Sequence, residues 1–481
     1  MASTFTQNQL KGSSSDNTSY RLPFIILTSL FFMWGFITAM NDVLIPHLRQ
    51  VFSLSVFQGM LVQFAFFGAY FIGSLVYFFI SLSQGDPILK IGYKNGIIIG
   101  LLVAALGCAL FYPAAQFAAY GFFLGALFCL GLGLTILQIA ANPYVAILGS
   151  PQTASSRLNL SQGFNSLGTT IAPVIGGYLI FNYFASESGI SADSVKTPYL
   201  IMAAFFVLLA ILIKVSHLPK IEQGDEKVEK NAGALQFSQL VFGVGAVFMY
   251  VGGEVTIGSI LINFFRLPQI AGLEEMQATT YLAFYWGGAM TGRFIGSISL
   301  SQIQNLAIKY GSMVGVSVLA FFFLYALAYK NSNLAIGDVM PFAIFLVMNL
   351  VGFGLGKSLA GRTLGIFASV VIGLLIITIF GTGKMAFWSV IAIGLFNSIM
   401  WSNIFTLAID GLGKYTSQGS SLLVMAILGG ALVPLLQGQI ADMLATADNV
   451  DAGIQASFFV PIFCYAYIAW YGFVGSKPKK F

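Results

Sequence analysis

Residues Tyr93–Tyr112 read YKNGIIIGLLVAALGCALFY. One charge, Lys94, stands near the start, and everything after Asn95 is apolar or small. As a helix rising 1.5 Å per residue, such a run covers about 30 Å, the hydrocarbon core of a bilayer. Runs of this kind recur along the whole chain. Fourteen spans are expected: Leu22–Leu48, Phe57–Ser81, Tyr93–Tyr112, Ala118–Leu148, Leu158–Phe184, Pro198–Val215, Leu240–Phe265, Thr279–Leu300, Tyr310–Tyr329, Val339–Leu355, Thr363–Phe380, Met385–Ile409, Ser420–Leu444 and Ser457–Gly475.

Composition agrees. Of 481 residues, 57% are hydrophobic and only 8% charged, and the mean hydropathy is +0.86. Soluble domains carry about 25% charged residues, so this chain could not coat a water-facing surface of its size. In lipid every backbone N–H and C=O must be satisfied within the protein, which makes the spans helices. The alternating strands of a membrane barrel are absent from the pattern. The 53 glycines suit helices that approach one another closely. Cys108, Cys129 and Cys464 all fall in apolar runs, at spacings that fit neither a zinc site nor a redox motif.

The charged stretch His217–Lys230, HLPKIEQGDEKVEK, is the longest hydrophilic segment between spans. It reads as a linker between two halves. The expected division is a disordered cytoplasmic tail at 1–21, a first bundle at 22–216, a linker at 217–238, a second bundle at 239–475 and a short cytoplasmic tail at 476–481. With the N-terminus in the cytoplasm, 17 of the 22 Lys and Arg face that side and 5 the other. The positive-inside rule therefore puts both termini in the cytoplasm. The same rule accounts for the net charge of +5, which is no sign of a nucleic-acid partner.

Of the 17 acidic residues, only Asp42 and Glu254 lie well inside spans. No Lys or Arg is read as mid-span; Arg293 comes nearest, toward the cytoplasmic end of its helix. An ionisable residue inside a span is costly and marks a functional site.

Several strings carry a resemblance: FFMWGFITAMNDVLIPHL at Phe31–Leu48, LQIAANPYVAILG at Leu137–Gly149, SRLNLSQGFNSLGTTIAPV at Ser156–Val174, YVGGEVTIGS at Tyr250–Ser259, YWGGAMTGRFIGS at Tyr285–Ser297, AIGLFNSIM at Ala392–Met400 and TSQGSSLLVMAILGGALVPLLQG at Thr416–Gly438. Together they closely resemble the fucose/glucose–galactose permease family of the major facilitator superfamily, over Arg21–Ile303 and Thr363–Lys477. The resemblance implies an all-α polytopic membrane protein of two six-helix bundles, alternating access and cation-coupled uptake of sugar. It ties the acid of the first-span Asn-Asp pair, Asp42, to cation coupling. Fucose-type members carry an acid two residues before AANP, whereas this chain has Gln138, as glucose/galactose-type members do. That argues against a second proton site there. Two departures stand out. NSIMWSNIF at Asn397–Phe405 replaces the family's NSIMFPTIF, and the loop SLSQGDPILKIGYKNG at Ser81–Gly96 is lengthened. The segment 304–362 is not family-like, and its two spans read as a helix hairpin inserted between core helices 8 and 9.

A hexose is neutral and covered in hydroxyls. Its site wants amides, which donate and accept at once, and aromatic faces for the apolar side of the ring. The spans offer Gln138 and Asn142, four apart on one helix face; Asn159, Gln162 and Asn165; Tyr250 and Glu254; Tyr285 and Trp286; and Asn397 with Trp401. Each could instead serve helix packing or helix–helix hydrogen bonding. Asp42 and Glu254, at matching depths of the leading span in each half, are the cation-coupling candidates. The sequence does not choose between H⁺ and Na⁺. The only expected partners are a small sugar and the bilayer, with no cofactor or metal beyond the co-transported ion and with the monomer as functional unit.

Without a mid-span cation, phosphorylated or carboxylated sugars are poor substrates. The competing readings are an N-acetylglucosamine or fucose permease of the same family, an exporter of lipophilic cations, a sugar sensor that moves nothing and an intramembrane enzyme. The last lacks a metal cluster or a nucleophile–base pair, since His47 and His217 both lie near loops.

Overall fold

The computed structural model of the protein describes residues 21–54, 56–183, 191–216, 218, 231–444 and 450–478. Every regular element in them is helical. The expected tail up to residue 20 and most of the linker lie outside the described residues.

The first half comprises α1 (Arg21–Val51), α2 (Val56–Gln84), α3 (Tyr93–Ala109, extended by Phe111–Gln116), α4 (Tyr120–Ile147), α5 (Ala154–Tyr178) and α6 (Lys196–Val215). The second comprises α7 (Ser238–Arg266), α8 (Glu275–Ser299), α9 (Leu306–Ser332), α10 (Pro341–Gly356), α11 (Ala360–Phe380), α12 (Gly383–Asn397 and Met400–Ile409), α13 (Thr416–Met425 and Gly429–Leu444) and α14 (Phe459–Trp470).

Among the described residues, twelve helical segments are long and apolar enough to cross a bilayer. The expectation was fourteen. The two outside the set are α5 and α8, each 25 residues and so long enough, about 37 Å. Their sequences carry the amides and hydroxyls of Asn159–Thr170 and the Arg293 charge, which lower their hydropathy.

The same pairs of helices pack in both halves. α1 lies on α5, α2 on α4 and α3 on α6; correspondingly α7 lies on α13, α8 on α12 and α11 on α14. Glycine permits the closest of these approaches. A Cβ at Gly35 of α1 would stand 1.9 Å from the carbonyl oxygen of Asn165 on α5. One at Gly429 of α13 would stand 2.1 Å from that of Phe248 on α7. The remaining helices, α9 and α10, have no counterpart in the first half. α9 packs on α8, and α10 on α11 and α12, while Val314, Leu319, Phe322, Ile344, Val347 and Val351 stay exposed as lipid-facing side chains would.

The two halves meet at the end that carries the linker. Lys94, at the start of α3, donates to the carbonyls of Lys214 and Ser216 beside that linker. From the same end, one face of α5 runs along α8 and α12 of the other half.

Candidate functional site

That face of α5 is polar. Ser155 shares a 2.6 Å hydrogen bond with Thr406 of α12. Ser156 donates to the carbonyl of Ser297 on α8. Asn159 donates to Asn403 over 3.1 Å. The Phe294 ring then closes over Gly163, and at mid-helix Ser166 accepts from Arg293. The series runs at helical spacing, so one strip of α5 makes all of it. Nearer the linker, Gln418 of α13 donates to Ser81 of α2 over 3.0 Å. Among the described residues, no side-chain hydrogen bond joins the halves beyond Ser166. The side-chain hydrogen bonds between the halves are thus gathered from the linker end to mid-depth.

Arg293 corrects the charge census. Its helix position is toward the linker end, but its side chain reaches inward. Nε donates to the Ser398 carbonyl at 3.1 Å, in the break that splits α12, and Nη2 stands 3.9 Å from the Glu254 carboxylate. A largely buried cation is therefore present, already facing an anion. The exclusion of anionic substrates rests on that neutralisation rather than on the absence of a cation.

Around Glu254 the second half builds a connected polar cluster. The Tyr250 hydroxyl donates to Glu254 Oε1 at 2.7 Å. The Tyr285 hydroxyl donates to the backbone carbonyl of Glu254 at 3.1 Å and accepts from Asn397 Nδ2 at 3.0 Å. Tyr465 of α14 adjoins Asn397. Trp401 is buried, with its ring 6.1 Å from that of Phe405. Trp286 stands at the edge of the cluster, its ring 5.0 Å from that of Tyr285. It is 37% exposed and packs over Gly258.

In the first half, Gln138 and Asn142 are both buried on α4. Gln138 lies with Trp34 and Thr38 around the Tyr70 hydroxyl. Thr38, one turn before Asp42 on α1, donates to the Trp34 carbonyl at 2.9 Å. Asp42 sits on α1, but its side chain is outside the described residues. Gln162 is buried on α5, three residues beyond Asn159. Asn165 donates to the Phe31 carbonyl of α1 at 3.0 Å, where the two helices touch.

Several of these buried groups have atoms with no hydrogen-bond partner among the described residues: Gln138 Oε1, both amide atoms of Asn142, Asn397 Oδ1, Trp401 Nε1 and the Tyr465 hydroxyl. Each such atom costs about 1–3 kcal/mol if nothing pairs with it. They come from both halves and offer donors and acceptors together, as a neutral polyhydroxylated ligand requires.

Comparison with known proteins gives the same frame. The family model described as Major Facilitator Superfamily matches residues 24–361. A glucose/galactose transporter of Brucella abortus is 45% identical over 476 residues, covering 98% of this chain and 98% of that one. The chain belongs to the major facilitator superfamily, in its fucose/glucose–galactose permease family. The L-fucose-proton symporter of Escherichia coli is 31% identical over 94% of each chain. A crystal structure of the facilitator FucP in the outward conformation aligns with a TM-score of 0.71 at 30% identity, covering 95% of this chain and 99% of that one. This permease is thus a multi-pass membrane transporter and not an enzyme.

Tyr70, Arg293 and Tyr465 were not among the expected site residues of the permease. Tyr70 and Tyr465 carry no local signal in a chain that is 15% aromatic. Arg293 had one, a charge inside YWGGAMTGRFIGS, which was discounted because of its place along the helix.

Proposed function

We propose that this permease is a cation-coupled symporter that imports a neutral hexose, glucose or galactose, by alternating access. The observation that carries this is the set of buried amide, indole and phenol groups from both halves that each keep at least one polar atom without a hydrogen-bond partner among the described residues. The glucose/galactose transporter of Brucella abortus, similar over almost its whole length, supports the choice of sugar. So does Gln138, neutral where the resemblance leads one to expect an acid in fucose-type members. Gln138, Asn142, Gln162, Asn165, Tyr250, Tyr285, Trp286, Asn397 and Trp401 are the proposed lining of the sugar path. Fucose is the second reading, favoured by the 31% identity to a fucose-proton symporter.

Asp42 and Glu254 are the two acids available for H⁺ or Na⁺ within the spans. The Lys and Arg distribution supports cytoplasmic termini in a bacterial inner membrane. On that orientation the hydrogen-bonded linker end is cytoplasmic. The repeated helix pairs support two bundles, at 22–216 and 239–475, with α9 and α10 as an inserted pair that brings the spans to fourteen.

The test is uptake of labelled glucose, galactose, N-acetylglucosamine and fucose into proteoliposomes, with an imposed Na⁺ or H⁺ gradient or none. Gradient-dependent accumulation of glucose or galactose is expected. Binding without movement would make the protein a sensor, and uptake of lipophilic cations alone would make it an exporter.

A further inference from the structure

We propose that Arg293 is the innermost latch between the two halves and that Glu254 is its resident counter-ion, so that this pair carries no coupling cation. The inference deepens the symport reading above and rests on it in taking the halves to part at the linker end.

Arg293 touches three elements at once. It donates to Ser166 of the opposite half, to the Ser398 carbonyl in the break of α12, and it faces Glu254 of α7. The other side-chain contacts along α5 join short neutral groups; this one places a full charge at the innermost side-chain hydrogen bond between the halves among the described residues. The guanidinium offers five donors in a planar fork. With one nitrogen committed to Ser166, the nearest approach to Glu254 is 3.9 Å, looser than a charge-assisted hydrogen bond. When the halves part, the donor to Ser166 is freed and has a carboxylate already within reach. The pair then tightens as the latch opens.

The groups facing Glu254 are accounted for from every side. Tyr250 comes from its own helix and Arg293 and Tyr285 from α8, with Asn397 of α12 and Tyr465 of α14 beyond them. Arg293 is the one cation in this set and it cannot leave. A carboxylate with a permanent guanidinium beside it has no need of a transported ion for neutrality. Coupling then falls to Asp42 alone, and the stoichiometry is one cation per sugar.

The experiment has two arms. In a background with Cys108, Cys129 and Cys464 replaced by Ser, Ser402→Cys is the reporter. Ser402 is fully buried, its hydroxyl has no hydrogen bond, and it lies one turn before Thr406 in the closed interface. Labelling of the purified protein by a water-soluble maleimide should accelerate at least five-fold on adding Ser166→Ala or Arg293→Gln. An unchanged rate with Ser166→Ala, which disturbs no charge, overturns the latch.

The second arm compares galactose accumulation in proteoliposomes at a fixed cation gradient. The neutral pair Glu254→Gln/Arg293→Gln should transport more slowly but reach the wild-type concentration ratio. A lower ratio at steady state means that Glu254 carries a cation, and overturns the second half of the proposal. If the wild type accumulates no hexose, the symport reading fails, and the labelling arm still decides the latch.

Discussion

Asn159 of α5 donates to Oδ1 of Asn403 on α12 across the two halves, and Asn403 in turn donates to the Ala360 carbonyl where α11 begins. Both amides are fully buried. Asn403 belongs to the NSIMWSNIF stretch that departs from the family pattern, so this link is a property of this chain. Asn403→Ala should remove both bonds, about 1–3 kcal/mol of support for the closed linker end. Distances between spin labels on the linker ends of α5 and α12 should show an open population roughly 5–150 times larger relative to the closed one. An unchanged distribution would mean that the pair merely fills space.

Asp42→Asn should abolish accumulation against a gradient while sparing exchange of labelled for unlabelled sugar. Counterflow and gradient-driven uptake measured on the same vesicles separate the two. Full active uptake by the variant removes Asp42 from the coupling mechanism.

Gln162→Ala should lose sugar binding, with apparent affinity down at least ten-fold, yet reach the membrane at wild-type levels. Isothermal titration beside a quantitative blot checks both halves of that statement. Wild-type affinity would take Gln162 out of the sugar path.

Gly35→Ala should damage the fold rather than the site. Its new Cβ would fall 1.9 Å from a backbone oxygen of α5, and backbone cannot rotate away, so the cost should reach or exceed the usual overpacking range of about 1–3 kcal/mol. The control is Gly125→Ala on α4, which meets nothing within 4 Å. Melting of the purified proteins should show a drop for the first and none for the second.

Asp86 makes the linker end sensitive to pH. It caps the short helix Pro87–Ile91, accepting from the backbone N–H of Ile88 and Leu89, and its Oδ1 also accepts from Tyr77 at 2.6 Å. It lines a small cavity with Ser81, Lys414, Tyr415 and Gln418, residues of both halves. Burial pushes its carboxyl above the ordinary value of 3.8, against the hydrogen bonds that hold it down. A raised carboxyl favours the folded state most when protonated. Its contribution is present at low pH and is lost as pH rises through the folded pKa, in a window above the usual carboxylate range. Wild type should therefore gain melting temperature relative to Asp86→Asn on acidification from pH 7 to 5. A constant difference would count against this.

The spans themselves were legible because apolar runs long enough for a bilayer leave few alternatives. Leu158–Phe184 and Thr279–Leu300 were read as spans from the same kind of apolar run, whereas the helices found there, α5 and α8, are not among the twelve long and apolar enough to cross a bilayer. Glu254 was legible because a charge in YVGGEVTIGS has no other excuse. Its partner was not. Sequence position put Arg293 near a helix end, but its long side chain carries the charge to Glu254 on α7, and only the packing of α7 against α8 shows which way it points. The same limit applied to Asn159 and Asn403. Each looked like a generic buried amide, and nothing local could reveal that they face one another.

The strip along α5 has one more consequence. Ser155, Ser156 and Asn159 hold the closed end through neutral groups, each replaceable by a water molecule at little net loss. Such a seam can hydrate one group at a time as it opens, up to the charged contact at Arg293. A carrier built this way can run in either direction with comparable ease, and the direction of net flow is left to the ion and solute concentrations on the two sides.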